Sequence, residues 1–328
     1  MEILQQAFFL VLGFVMLIKG ADWFVEGASK IADRFGIPQL VIGLTIVAMG
    51  TSAPEAAVSI TSALKGSAEI TIGNVVGSNI LNVFIILGLT AVVRSIAVQS
   101  STIKYEIPLT IGVTILLAVL GLVDNTVSRL EGVILWVVFI GYLLYLLKMA
   151  KSGQGTTEET VADTTKEPMW KLIVLVIIGV VLIVWGSDVT VDAATALAKI
   201  FGMSERLIGL TIVALGTSLP ELVTSVTAAI RGKADIAVGN IVGSNIFNIL
   251  FVVGTSAIIT PVAYSSSFVV DSVIAVAAMI LLLICVLLGR KELEATGGAD
   301  KGTAGLLNRT AGIVMLLCYV GYFIYLIQ

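Results

Sequence analysis

Residues 43–55 read GLTIVAMGTSAPE, and residues 209–221 read GLTIVALGTSLPE. The two stretches are identical at 11 of 13 positions and lie 166 residues apart. The same offset relates GNVVGSNILN at residues 73–82 to GNIVGSNIFN at residues 239–248, which agree at 8 of 10 positions. Drift after a duplication would blur a repeat evenly, whereas here the identity is concentrated in two short polar stretches. The pattern therefore indicates a duplicated chain in which both copies keep a function.

The composition places both copies in a membrane. Of 328 residues, 58% are hydrophobic and 12% are charged, whereas about 25% are charged in an ordinary soluble domain. Repeated apolar runs of about 20 residues are long enough to cross a bilayer as helices. The net charge of −3 leaves no basic patch for nucleic acid. We therefore expect a polytopic protein surrounded by the lipid bilayer, with neither a nucleic-acid nor a protein partner implied.

Two residue types that many enzymes and metalloproteins need are scarce. The chain has no histidine, and its two cysteines, Cys285 and Cys318, lie within apolar runs. Zinc sites, disulfide frameworks and histidine-based catalysis are therefore unsupported. The Thr-Ser pairs near the two conserved glutamate positions of the repeat come with no second catalytic group. We expect neither an enzyme nor a cofactor.

Hydropathy predicts an all-α fold of ten transmembrane helices. The predicted spans are 5–27, 38–64, 70–93, 105–123, 130–149, 170–196, 206–230, 236–260, 268–289 and 307–327. The polar stretch 151–168 is predicted to be a disordered cytoplasmic linker between two five-helix repeats, residues 1–150 and 169–328, with a second, shorter linker at about 290–305.

The number of spans and the charges of the loops predict how the repeats are oriented. An odd number of spans in each repeat starts the second copy on the opposite side of the membrane, so the repeats are expected to be inverted. Fourteen basic loop residues fall on one side and four on the other. Because basic residues favour the cytoplasmic side, we expect a multi-pass cell-membrane protein with both termini extracellular.

The first motif carries a break and a charge. In both copies a glycine and a proline flank Thr-Ser in the middle of a span, which opens the helical hydrogen-bond ladder and frees backbone carbonyls. We therefore expect broken helices at the membrane midplane. Glu55 and Glu221 lie near the bilayer centre, where an acidic residue costs roughly 2.5 to 3.5 kcal/mol. No lysine or arginine lies in the neighbouring core stretches, so a mobile cation is the expected counter-charge.

The second motif adds further oxygen ligands. Ser78 and Asn82 are four residues apart, as are Ser244 and Asn248, so each serine shares a helix face with its asparagine. The remaining asparagines of the motif lie on other faces, at positions 74, 79, 240 and 245. Carboxylate, hydroxyl, amide and carbonyl oxygens suit hard cations, and calcium tolerates a flexible geometry better than magnesium does. Because two carboxylates neutralise one calcium or two sodium ions, these ions would compete for the same charge.

At these residues the chain resembles the sodium/calcium exchanger branch of the calcium/cation antiporter superfamily, in its prokaryotic type. GTSAPE with GNVVGSNILN, and GTSLPE with GNIVGSNIFN, look like the two alpha repeats of that family. The resemblance implies ten helices in two inverted five-helix repeats. It also implies secondary active exchange of sodium for calcium by alternating access.

Carried over residue by residue, the resemblance implies two kinds of ion site. The calcium site would be formed, through threonine carbonyls and glutamate side chains, by Thr51, Glu55, Thr217 and Glu221. The sodium sites would be formed by Ala48, Ser52, Ser78, Asn82, Ala214, Ser218, Ser244 and Asn248. If three sodium ions replaced one calcium, one net charge would cross per cycle, so transport is expected to be electrogenic.

Two other functions stay open from the sequence. Protons could neutralise the glutamates, which would make the chain a proton/calcium antiporter. Members of that branch tend to carry a glutamate soon after the GN of the second motif, whereas this chain has Val75-Val76 and Ile241-Val242 there. A cation channel is the rival class, because carboxylates and carbonyls also build selectivity filters. Two pseudo-symmetric glutamates in inverted repeats nevertheless suit alternating access better.

Overall fold

The fold is mostly helical, and most of its long helices are apolar. The computed structural model describes residues 2–65, 68, 70–152, 167–202, 216–265, 267–290 and 303–327. Within these residues, eight helices are long and apolar enough to cross a membrane, and a bent pair of shorter helices makes a ninth. The predicted span 206–230 begins among residues outside the described part of the chain, so the count of ten stays a prediction.

The helices follow the predicted spans to within a few residues at most ends. They are α1 (Glu2–Phe35), α2 (Gln39–Thr51), α3 (Ala53–Leu64), α4 (Thr71–Val93), α5 (Thr102–Asp124), α6 (Arg129–Ser152), α7 (Met169–Ile200), α8 (Leu219–Ile230), α9 (Ala234–Ile259), α10 (Ser267–Leu288) and α11 (Arg309–Ile327). Most of the 151–168 linker lies outside the described residues.

The first predicted helix break is present. Helices α2 and α3 meet at an angle of 51° around Ser52, whose ψ of 10° is not helical. Pro54, in the first turn of α3, lacks the amide hydrogen needed to continue the ladder from α2. In the second half, α8 begins in the same way after Ser218, with ψ of 5° and Pro220 in its first turn. Both helix starts place a glutamate in the first turn, Glu55 in α3 and Glu221 in α8.

Helices α4 and α9 form the centre of the molecule. Of the most apolar window of each helix, 78% is buried in α4 and 94% in α9, whereas the corresponding share is 22–39% in the other single-helix spans. Each of the two helices contains a π-helical stretch, Asn82–Leu87 in α4 and Asn248–Val253 in α9. These stretches are 166 residues apart, and a π-helical stretch inside an α-helix is frequent at functional sites.

The two longest helices, α1 and α7, pack against each other in opposite directions. Gly13 lies against Gly186, and Gly20 lies against Gly179. A Cβ atom built at Gly20 would lie 2.9 Å from the carbonyl oxygen of Gly179, so only glycine permits this approach of the two backbones. Small residues at such contacts are the usual way for helices to pack closely in lipid. The two helices have 34 and 32 residues, whereas about 20 residues are enough to cross the hydrocarbon core of about 30 Å.

Four short strands join the halves, which the sequence did not predict. They are β1 (Ile96–Gln99), β2 (Thr126–Val127), β3 (Val262–Ala263) and β4 (Thr303–Leu307). Strand β1 pairs antiparallel with β4, and β2 pairs antiparallel with β3. The prediction of a linker at 290–305 is therefore wrong at its end, because residues 303–305 belong to β4. The pairing partner of β4 is about 200 residues away, which local sequence patterns do not reveal.

Contacts between the halves come in reciprocal pairs. Each half contributes one strand to each of the two small sheets. Gly88 of the first half packs against Gly312 of the second, and Gly132 of the first packs against Gly254 of the second. Reciprocal contacts of this kind are what a two-fold relation between two similar halves produces.

Candidate cation-binding site

The two glutamates of the repeated motif lie in the protein core at the helix breaks. Glu55 is in the first turn of α3 and Glu221 in the first turn of α8, and each is only 1% exposed. The partial positive charge at a helix N-terminus stabilises a carboxylate in the first turn. In the described part of the chain, no lysine or arginine forms an ion pair with either glutamate.

The serines at the two breaks reach across to the glutamate of the opposite half. Neither hydroxyl caps its own helix. Ser52 Oγ instead donates to Glu221 Oε1 at 2.7 Å, and Ser218 Oγ donates to Glu55 Oε1 at 3.4 Å. Thr51 and Thr217 directly precede these two serines in the chain. The structure thus brings both halves of the predicted calcium site together.

Four buried oxygen atoms in this region accept no hydrogen bond from the described residues. They are the second carboxylate oxygens of the two glutamates and the amide oxygens of two asparagines: Glu55 Oε2, Glu221 Oε2, Asn82 Oδ1 and Asn248 Oδ1. Buried polar atoms nearly always have a partner, so each exception needs an explanation. All four atoms are acceptors, two of them on groups that carry negative charge when ionised. Acceptor atoms of this kind are the ligands that hard cations bind.

Asn79 and Asn245, which helical periodicity places on other faces than Ser78 and Ser244, form hydrogen bonds between the two halves. Asn79 and Asn245 contact each other and the two asparagines with unpaired oxygens, across the boundary between the halves. Sequence reasoning considered only the face shared with Ser78 and Ser244 and therefore missed them. The signal that could have found them is their identity in both copies of the repeat.

A second pair of asparagines donates hydrogen bonds to the main-chain oxygens of the two glutamates. Asn74 Nδ2 donates to the main-chain oxygen of Glu55 at 3.2 Å and to Ser59 Oγ at 2.9 Å. In the second half, Asn240 Nδ2 donates in the same way to the main-chain oxygen of Glu221 at 3.3 Å and to a serine hydroxyl at 2.9 Å. These bonds fix the first turns of α3 and α8 against the two central helices.

Hydrogen bonds of three further predicted ligands, Ala48, Thr51 and Ser244, join α2 to α9. Ser244 Oγ donates to the main-chain oxygen of Ala48 at 3.4 Å. Thr51 Oγ1 donates to Asn240 Oδ1 at 2.9 Å, which links the end of α2 to α9. Ser78 is 5% exposed. Ala214 lies outside the described residues, so its predicted role stays a prediction.

The donor set of the site is made of oxygen alone. Among the described residues, no cluster of three or more His, Cys, Asp or Glu side chains could hold a metal ion. Two carboxylates supplemented by hydroxyl, amide and carbonyl oxygens therefore form the candidate site. Such ligands suit hard cations such as calcium and sodium, and lack the nitrogen and sulfur that transition metals prefer.

Comparison with known proteins places this arrangement in a family. The profile of the family described as "Sodium/calcium exchanger protein" matches residues 6–148 and 171–328. The protein CaxA of Alkalimonas amylolytica is 42% identical over 319 residues, which are 96% of each chain. The sodium/calcium exchanger MaX1 of Methanosarcina acetivorans is 31% identical over 97% of each chain.

The fold is also similar to a solved structure. The structure of the sodium-calcium exchanger NCX_Mj, soaked with 10 mM Na⁺ and zero Ca²⁺, superposes with a TM-score of 0.78. The similarity covers 97% of both chains at 32% sequence identity. At this identity and coverage, the likeness extends over the whole chain and is not confined to the repeated motifs.

Proposed function

Because this chain belongs to the sodium/calcium exchanger family, we propose that it is a secondary active antiporter that exchanges sodium for calcium across the cell membrane. The family is one of transporters, so the chain is not an enzyme. The observation that carries the proposal is the pair of buried carboxylates, one from each half, each with an oxygen that accepts no hydrogen bond from the described residues. Calcium and sodium are the substrates that this oxygen site suits.

The proposed calcium site uses both glutamates. The carboxylates of Glu55 and Glu221, with the main-chain oxygens of Thr51 and Thr217, would surround one calcium ion. Two carboxylates match the charge of one divalent cation, and no lysine or arginine in the described part of the chain forms an ion pair with either glutamate. Burying two unpaired carboxylates in a membrane protein is otherwise expensive.

The proposed sodium sites flank the calcium site. In the first half they would use the main-chain oxygen of Ala48 with Ser52 and Ser78, and in the second half the matching residues Ala214, Ser218 and Ser244. Asn82 and Asn248 would complete a middle position. The buried, unpaired amide oxygens of these two asparagines support that part of the assignment.

Coupling follows from competition for the negative charge of the two glutamates. Sodium and calcium would not be bound at the same time. The ion site would therefore change the side of the membrane to which it opens only with one kind of ion bound. With three sodium ions for one calcium, one net charge crosses per cycle, which is worth about 2.3 kcal/mol per 100 mV. Transport would then respond to the membrane potential.

We propose alternating access in a fold of two inverted five-helix repeats, residues 1–150 and 169–328, joined by the linker 151–168. The reciprocal strand pairs and glycine contacts support the inverted arrangement. Helices α1 and α7 would slide or tilt together past the core that contains α4 and α9. A crosslink that fixes α1 to this core should stop transport, and unchanged transport would contradict the movement.

Calcium-45 uptake into reconstituted vesicles tests the proposed function. Vesicles are loaded with sodium, with potassium, or with potassium under an imposed pH gradient. We expect uptake only with internal sodium, and faster uptake when the vesicle interior is positive, because net positive charge leaves in each cycle. Uptake driven only by the pH gradient would identify a proton/calcium antiporter, and uptake indifferent to both gradients would identify a channel.

A further inference from the structure

We propose that Asn79 and Asn245 are positioning residues, which turn the amide oxygens of Asn248 and Asn82 toward the transported cation. The inference rests on the proposed function and adds to it a role for two residues that contact no ion themselves. A carboxamide presents an acceptor oxygen on one side and two N–H donors on the other, so it binds a cation only in one of two orientations.

Main-chain carbonyls fix the orientation of the first two amides. Asn79 Nδ2 donates to the main-chain oxygen of Asn245 at 3.1 Å, and Asn245 Nδ2 donates to the main-chain oxygen of Asn79 at 3.4 Å. A main-chain carbonyl only accepts hydrogen bonds. Each of these amides must therefore keep its nitrogen toward the opposite backbone, which leaves its own oxygen facing the other way.

The side-chain oxygens of Asn79 and Asn245 then fix the orientation of the other two amides. Asn248 Nδ2 donates to Asn79 Oδ1 at 3.2 Å, and Asn82 Nδ2 donates to Asn245 Oδ1 at 2.9 Å. With their nitrogens held in this way, Asn248 and Asn82 present Oδ1 on the opposite side. Those two oxygens are the buried atoms that accept no hydrogen bond from the described residues.

The arrangement makes each half orient a ligand of the other half. Asn79 of α4 acts on Asn248 of α9, and Asn245 of α9 acts on Asn82 of α4. All four side chains are at most 4% exposed, so water competes little for these hydrogen bonds. An amide turned the wrong way would aim N–H donors at a cation and lose one charge-assisted contact. Such a contact is worth about 1.5 to 3 kcal/mol, or about a 10- to 150-fold change in affinity.

The key test is whether a symmetric ligand removes the need for the positioning residue. In Asn79→Ala, the amide of Asn248 loses its fixed acceptor. We expect the sodium concentration that gives half of the maximal calcium uptake to rise about tenfold or more. A carboxylate presents oxygen in either orientation. The double variant Asn79→Ala, Asn248→Asp should therefore recover most of the sodium response.

The matched control adds the same charge in the wrong place. The double variant Asn79→Ala, Asn82→Asp also introduces one carboxylate, but at the asparagine that Asn245 still orients. We expect it to leave the Asn79→Ala defect in place. The mirror experiment exchanges the roles, so that Asn245→Ala is rescued by Asn82→Asp and not by Asn248→Asp. It also repeats the test should Asn79→Ala fail to fold.

Two readouts separate positioning from packing. The first is the rise in Tm of the purified protein with added sodium, since a ligand that binds only the folded state stabilises it. The second is the sodium dependence of calcium uptake. The Tm without sodium reports packing damage alone, and we expect the Asn248→Asp rescue to act on the sodium dependence and not on that Tm.

The outcomes are distinct. Rescue by Asn248→Asp but not by Asn82→Asp supports the inference. An unchanged sodium response in Asn79→Ala, or equal rescue by both aspartates, overturns it while leaving the proposed function intact. A wild-type protein whose Tm and calcium uptake both ignore sodium overturns the proposed function and this inference with it.

Discussion

The close contact between α1 and α7 predicts a large effect of a single added methyl group. In Gly20→Ala the new Cβ would lie 2.9 Å from the main-chain oxygen of Gly179 and 2.9 Å from the main-chain nitrogen of Ile183. Both neighbours are backbone atoms of a helix, so they cannot rotate away. The two helices would have to separate, and overpacking of this kind costs about 1 to 3 kcal/mol. At about 2 to 4 °C per kcal/mol, we expect the Tm to fall by several degrees.

The matched control is a glycine in open space. A Cβ built at Gly141 of α6 meets no atom within 4 Å, so Gly141→Ala adds only the better helix propensity of alanine, about 0.5 to 1 kcal/mol. Thermal unfolding of both variants in the same detergent measures the difference. We expect Gly20→Ala to lower the Tm and Gly141→Ala to leave it unchanged or raise it. Equal shifts in the two variants would refute the packing argument.

Four further substitutions test the charges. Glu55→Gln or Glu221→Gln should nearly abolish calcium flux while the protein stays folded, because each removes half of the charge that matches calcium. Normal calcium flux in either variant would contradict the assignment of these glutamates to the calcium site. Arg231→Gln breaks ion pairs with Asp22 and Glu26 in which all three side chains are about one-third exposed. Each pair should contribute less than about 1 kcal/mol, so we expect only a small fall in Tm at physiological salt, and a fall as large as that of Gly20→Ala would contradict this. Hydrogen bonds from two lysines hold the pKa of Glu167 below its usual range, so this carboxylate stabilises the fold at neutral pH and loses its effect as pH falls through that lowered pKa. Glu167→Gln should therefore flatten the acid side of the Tm profile, and an unchanged profile would exclude the effect.

Local sequence features predicted the parts of the site that depend on local chemistry. A glycine and a proline around Thr-Ser predicted the break between α2 and α3, because both act on the hydrogen-bond ladder of their own helix. A glutamate in an apolar run predicted a buried carboxylate that needs a counter-charge. The structure contains the break and the buried, unpaired carboxylate oxygens.

Features that depend on contacts between the halves could not be predicted in this way. The hydrogen bond between Asn79 and Asn248 joins residues 169 positions apart, and helical periodicity alone placed Asn79 on a different face from Ser78. Strand β4 pairs with a segment in the other half, so its five residues show no local hairpin signal. The contact between Gly20 of α1 and Gly179 of α7 also joins the two halves, and the sequence did not predict it.

The central claim is that one glutamate from each half builds a single calcium site that sodium shares. Equilibrium binding of calcium-45 to the purified protein, with and without added sodium, tests it most directly when Glu55→Gln and Glu221→Gln are measured beside the wild type. We predict one calcium bound per wild-type chain in this site, displaced by sodium, and lost in each single variant. Calcium binding that survives in either variant, or that sodium does not displace, would contradict the account.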